Sequence, residues 1–147
     1  LARKIVLFVC LGNACRSPFA EELFNKLAEE KGLEWRALSA GIEPGIDTPL
    51  EARKAAREFG VTFAEHTPRI VTRKLLEASD LVLTMEGWQK EELIRTCPHC
   101  WDKIYTLTEY VGETGEIPDP YLSPATYTQV YRQIDRLLHK LVEKLSK

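Results

Sequence analysis

The chain has 147 residues, 44% of them apolar and 29% charged, which suits one soluble folded domain (1–147) with a sizeable core and argues against disorder. Its 20 basic and 22 acidic residues leave a net charge of −2, giving no electrostatic footprint for nucleic acid, and no apolar run approaches the ~20 residues of a membrane span. The apolar run near the N-terminus is too short for a signal peptide and is followed by no cleavage site, so a cytoplasmic location is expected.

Residues 4–9 form an unbroken apolar stretch of strand length. From Pro18 to Lys31 a helix is predicted, with Phe19, Leu23, Phe24 and Leu27 on one face, Pro18 at its first turn and Gly32 as its C-terminal stop. Residues 35–39 read as a second strand, followed by a turn-rich loop over 40–45. Helices follow at 49–59 and 72–78. A third strand at 80–85, a helix at 86–95 and a fourth strand at 103–107 come next. A proline-rich loop over 112–124 leads into a last helix from Ala125, striped by Val130, Tyr131, Ile134, Leu137, Leu138 and Leu141. Strands alternating with helices imply parallel pairing through right-handed crossovers, hence an open α/β sheet that binds ligands beyond its carboxyl ends.

The segment joining the first strand to the first helix, Cys10-Leu11-Gly12-Asn13-Ala14-Cys15-Arg16-Ser17-Pro18, carries the chemistry. Gly12 and Asn13 tolerate left-handed φ, which lets the backbone N–H groups of residues 11–17 curl inward around an anion. The helix beginning near Pro18 adds its positive dipole end, and Arg16 a planar fork for two phosphate oxygens. The same field favours the thiolate of Cys10, whose attack on phosphorus would give a phosphocysteine. Ser17, the expected helix N-cap, is also placed to assist departure of that thiolate. A leaving oxygen needs a proton, and Asp119, stiffened between Pro118 and Pro120, is the candidate acid. Tyr121 is a candidate wall for the substrate pocket.

These motifs resemble the low-molecular-weight protein tyrosine phosphatases, a match that runs nearly end to end through Ser39-Ala40-Gly41, Asp80–Met85 and Asp119-Pro120-Tyr121. The resemblance implies a four-stranded parallel twisted sheet with helices on both faces. It also implies hydrolysis of phosphomonoesters on phosphorylated proteins without metal or other cofactor, with Cys10 as nucleophile, Arg16 as phosphate clamp and Asp119 as general acid. Asn13, Ser17, Ser39 and His66 would be the polar struts of the loop. Cys15 would protect Cys10 by forming a disulfide with it.

Two departures bear on the substrate. The loop 42–47 lacks the aromatic wall residue common in the family, and Ala14 stands where isoleucine is frequent. Residues 105–112 are similar to a bacterial branch that dephosphorylates arginine, yet Leu11 and Ala14 lack the threonine hydroxyls expected there. Phosphotyrosine is the expected substrate, phosphoarginine the alternative. A thiol-linked arsenate reductase, which shares the fold and the Cys-x5-Arg loop, is a more distant alternative, because its further cysteines are placed differently. Cys97-Pro98-His99-Cys100 has redox spacing but follows a helix, where the dipole disfavours thiolate. Zinc would require two further ligands, leaving a surface turn or a protective disulfide. Nothing in the exposed pattern calls for a dimer, so a monomer is expected.

Overall fold

The computed structural model describes residues 3–43, 45–63 and 66–147, so Pro44 of the predicted turn and Glu65 beside His66 lie outside it. Strands β1 (Lys4–Cys10), β2 (Trp35–Gly41), β3 (Leu81–Thr84) and β4 (Ile104–Thr106) form one parallel sheet in the order β2-β1-β3-β4. The chain moves from β1 to one neighbour, β2, and then to the other, β3, so the winding direction reverses at β1. A crevice opens at such a reversal beyond the carboxyl ends of the strands. Cys10 ends β1, paired with Gly41, while Val9 pairs with Thr84.

Both faces of β1 are buried, which explains its lack of alternation. Val6, Phe8 and Cys10 point into a core shared with α1 (Arg16–Glu30) and α6 (Tyr127–Leu145), and Leu7 and Val9 into a second core with Leu76, Leu93 and Ile104. Phe19 of α1 stacks on Tyr131 of α6 with ring centroids 4.0 Å apart, a pairing worth about 0.5–1.5 kcal/mol beyond area burial. The first core also takes Ala52, Ala55 and Ala56 from α2 (Leu50–Arg57). The second is flanked by α3 (Arg73–Ala78) and α4 (Gly87–Thr96).

The predicted strands and longer helices appear within a few residues of their expected ends. Gly32 follows the last turn of α1 with φ +67°, the left-handed stop its sequence position predicted. At the other end of α1 the structure differs. Cys15, not Ser17, is the capping residue, its carbonyl accepting from the Phe19 N–H, and Ser17 lies inside the first turn. Thr126 caps α6 reciprocally with Gln129. A 3-10 helix over Pro98–Lys103 and α5 (Leu107–Tyr110) are too short to announce themselves by periodicity.

The second cysteine pair is not a surface turn. Cys97 and Cys100 are joined in a disulfide, their sulfurs inside the second core. The 3-10 turn brings their Cα atoms to 5.4 Å, within bridging range. Cys10 and Cys15 are free thiols.

Candidate active site

The carboxyl end of β1 delivers Cys10 to the floor of an open cleft of ≈ 190 Å³. Cys10 is 2% exposed, and its Sγ accepts the Asn13 N–H at 3.3 Å. Ser17 Oγ lies 3.0 Å away. Ser17 already accepts from Asn13 Nδ2 at 2.9 Å, and its other acceptor, the Ala40 carbonyl, is distant at 3.5 Å. The hydroxyl proton is therefore best directed at the Cys10 sulfur, where it would stabilise a thiolate.

Of the two residues expected to turn left-handed, only Asn13 does, at φ +53°. Its side chain holds that conformation from three directions. Nδ2 donates to Ser17 and, at 2.9 Å, to Ser39, while Oδ1 accepts the Arg69 N–H at 3.0 Å. His66 anchors the main chain of Asn13: Nε2 lies 2.7 Å from its carbonyl oxygen. A carbonyl only accepts, so Nε2 carries the proton. Ser39 in turn donates to Glu21 at 2.5 Å, and the Thr48 hydroxyl donates to the Ala14 carbonyl at 2.7 Å.

Glycines contribute space instead of unusual φ. A Cβ on Gly41 would sit 2.8 Å from Asn13 N and 2.9 Å from Leu11 O, and one on Gly45 would collide with the Gly12 carbonyl. The phosphate loop thus lies directly against two glycine backbones.

Arg16 is 2% exposed. Nη1 donates to Glu86 Oε2 at 2.7 Å and to the Ile117 carbonyl at 2.9 Å, and Nη2 lies 3.4 Å from Asp119 Oδ2. Glu86 is positioned by Gln89, whose Oε1 accepts the Met85 and Glu86 N–H groups and whose Nε2 donates to Glu86 at 3.0 Å. The two carboxylate oxygens of Asp119 face different partners. Oδ1 accepts the Tyr121 N–H at 2.9 Å and closes a turn, while Oδ2 faces the clamp.

Cys10, Leu11, Gly12, Ala14, Cys15 and Arg16 of the predicted loop line the cleft with Asp119; Asn13 and Ser17 are buried beneath it, and Ser39 and His66 stand behind the loop. Tyr121, 65% exposed, lines the mouth with Ile46, Pro49 and Glu43. Cys15 also lines the cleft, and burial, helped by the nearby Cys10, pushes its thiol up to about 12, with the Tyr127 hydroxyl partly offsetting this. Glu86, Gln89, Glu21, Thr48, Gly41, Gly45 and the Ile117 carbonyl escaped the sequence reading. Only Glu86 had a usable signal: it follows the end of β3, next to β1, where the crevice rule places ligand-facing residues.

Residues 5–147 match the family model described as low molecular weight phosphotyrosine protein phosphatase. The chain is 36% identical over 146 residues to the protein-arginine-phosphatase of Bacillus subtilis (strain 168), covering 97% of each. It is 34% identical over 142 residues to the low molecular weight protein-tyrosine-phosphatase Wzb of Escherichia coli (strain K12), covering 96% of this chain and 95% of that one. A solved structure of the arginine phosphatase YwlE, a cysteine-to-serine mutant with a phosphorylated active-site serine, superposes with a TM-score of 0.90 at 35% identity, covering 97% and 96% of the two chains. With its fold, its phosphate loop and this span of similarity, the chain belongs to the low molecular weight phosphotyrosine protein phosphatase family.

Proposed function

We propose that this chain is a metal-independent, cytoplasmic protein phosphatase of one domain, acting as a monomer on phosphotyrosine through a phosphocysteine. The observation that carries the reading is the convergence of Cys10, Arg16 and Asp119 on one cleft, with the Asn13 N–H donating to the sulfur. No helix among the described residues is long and apolar enough to cross a membrane.

In the first step the Cys10 sulfur attacks phosphorus opposite the ester oxygen, forming S–P as P–O breaks. Asp119 protonates the departing phenolate oxygen. Arg16 and the loop amides take up the charge on the three equatorial oxygens. In the second step Asp119, now a carboxylate, removes a proton from water as it attacks phosphorus. The S–P bond breaks, inorganic phosphate leaves, and Ser17 donates to the regenerated thiolate. A phosphorylated nucleophile position in the YwlE structure supports such an intermediate.

The apolar rim of Ile46, Pro49 and Tyr121 favours an aromatic phosphoester, standing in for the missing aromatic of loop 42–47. A second reading, phosphoarginine, is favoured by the similarity to the Bacillus subtilis enzyme and by Glu43 at the same rim, a carboxylate able to pair with a guanidinium. Phosphotyrosine and phosphoarginine peptides of one sequence, compared by kcat/KM, separate the two. Cys10→Ser should abolish turnover of an aryl phosphate while vanadate still binds. Asp119→Ala should slow phosphoenzyme formation by about 10²–10⁴-fold, most for poor leaving groups. Turnover retained in the Cys10 variant overturns the mechanism.

A further inference from the structure

On the opposite side of the sheet from α1, a second cluster of metal-ligating groups is assembled at the end of α4. Cys97, His99 and Cys100 bring their ligand atoms within 4.8 Å of one another. The two sulfurs lie in the second core, whereas the His99 side chain is 56% exposed. The sequence supplies these three residues but conceals a fourth. Glu77, from α3, places Oε2 2.9 Å from His99 Nε2.

A carboxylate oxygen only accepts, so Nε2 carries the proton and Nδ1 keeps a free lone pair. Nδ1 lies 3.7 Å and Nε2 3.5 Å from Cys97 Sγ, so both ring nitrogens stand beside this sulfur, and Nδ1 is the one with a lone pair to offer. In a tetrahedral zinc site, with Zn–S near 2.3 Å and Zn–N near 2.0 Å, adjacent ligand atoms stand roughly 3.5 Å apart. The imidazole is thus already at ligand spacing from one sulfur. Glu77 stands behind it as the carboxylate that fixes the tautomer of a metal-bound histidine. Arg73 Nε, 3.7 Å from Glu77 Oε2, balances part of the negative charge that two thiolates and a carboxylate would concentrate here.

We infer that, once the Cys97–Cys100 disulfide is reduced, this cluster binds one zinc-class divalent ion through Cys97 Sγ, Cys100 Sγ and His99 Nδ1, with Glu77 orienting the histidine. The fourth position faces solvent and takes water. The electrons come from an external dithiol or phosphine. A dithiol gives two electrons to the S–S bond, leaves two cysteine thiols, and is itself oxidised to a disulfide. Binding of the ion then releases two thiol protons to solvent. Disulfide and metal are mutually exclusive, so the metal-loaded form reports reducing conditions. The site is separate from the phosphatase cleft and stands or falls independently of the proposed activity.

The test is a titration of the full chain, reduced with a phosphine under anaerobic conditions, with Co²⁺ followed by Zn²⁺. One equivalent of Co²⁺ should give tetrahedral d–d bands with thiolate charge transfer, displaced by Zn²⁺ and unchanged in Cys10→Ser/Cys15→Ser. Glu77→Ala should weaken binding about 10–100-fold, and Glu77→Gln should recover most of it, because its amide oxygen still accepts from Nε2. His99→Ala should weaken binding at least as much as Glu77→Ala. Both positions are on the surface, so these variants test ligation without disturbing the core. The inference is overturned if reduced protein gives no tetrahedral cobalt spectrum, if the spectrum disappears with Cys10 and Cys15, or if His99→Ala leaves the affinity unchanged.

Discussion

Glu86 holds the Arg16 guanidinium from behind, Oε2 to Nη1 at 2.7 Å, at a site where the arginine is almost wholly buried. The pair leaves the rest of the fork turned towards the cleft and Asp119. Removing Glu86 leaves a buried cation short of one partner, a change that costs about 3–5 kcal/mol when both members are fully desolvated. Glu86 is 23% exposed, so the cost falls at or below the lower end of that range. Glu86→Ala should lower the unfolding free energy by about 2–3 kcal/mol and reduce kcat/KM for an aryl phosphate by about 10²-fold, with weaker inhibition by phosphate. Urea denaturation and phosphate inhibition check the two parts. Unchanged phosphate inhibition would show that the clamp does not need Glu86.

Gly41 and the phosphate loop make a second such dependence. A methyl group at Gly41 meets backbone atoms of Leu11, Gly12 and Asn13 at 2.8–2.9 Å, and backbone cannot swing aside as a side chain can. Gly41→Ala should therefore displace the loop amides by a few tenths of an ångström or more. Because small misplacements of reacting groups are costly, kcat should fall by about 10²-fold. The comparison is with Ala40, whose neighbourhood is the second core: Ala40→Gly should lower Tm and leave kcat nearly intact.

The phosphate loop was legible because it is local. Strand, nest, arginine and helix start are contiguous, and one short stretch of sequence displays their chemistry. What closes the site is not local. Glu86 is one of 22 acidic residues, and nothing in Met85-Glu86-Gly87 separates a buried ion-pair partner from a solvated helix start. Gly41 reads as a loop glycine until β2 is laid beside β1. Ser17 reads as an N-cap because Ser-Pro favours that role, but its hydroxyl is taken by Asn13 and Cys10, so the cap position falls two residues earlier, at Cys15, without a side-chain hydrogen bond. Glu77 is invisible as a partner of His99 for the same reason as Glu86: the contact crosses between elements.

Asn13 shows what the loop costs to hold. Left-handed φ is unfavourable for a side-chain-bearing residue by about 1–2 kcal/mol, and three side-chain hydrogen bonds of about 1 kcal/mol each offset it. Asn13→Ala loses the bonds and keeps the strain, so destabilisation of about 3 kcal/mol is expected by urea titration. Asn13→Gly removes the strain and should recover about 1 kcal/mol of that. Activity should stay low in both, since neither restores the link to Ser17 and Ser39. Full activity in Asn13→Gly would reduce the residue to a conformational role.

Cys15 supplies a chemical contrast within the same loop. Its thiol is pushed up to about 12 by burial and by the neighbouring Cys10. It therefore stays protonated across the physiological range, and only thiolate alkylates readily. Iodoacetamide at neutral pH should label Cys10 with loss of activity, while Cys15 reacts only as the pH rises towards 12. Mass spectrometry of the peptide carrying both cysteines should find a single adduct at pH 7. Two adducts formed at equal rates at that pH would contradict the buried, protonated state of Cys15.

The loop that carries Asp119 is moored to α6 by Glu113, whose carboxylate pairs with Arg136 and Lys140 at 2.5 Å each. Those cations hold Glu113 down to about 2 from an ordinary 4.5. A carboxylate lowered on folding stabilises the folded state fully above its unfolded value, and that contribution fades as pH falls through the folded one. The Tm difference between the wild-type chain and Glu113→Gln should therefore be constant above about pH 5, shrink between pH 4.5 and 2, and vanish below. High salt should reduce it at neutral pH, since the pairs are at the surface. The Ile117 carbonyl that holds Arg16 lies four residues on, so Glu113→Gln should also lower kcat modestly at neutral pH, and differ less from wild type as pH drops. A Tm difference that grew on acidification would reverse the sign of the linkage and remove Glu113 as the mooring point.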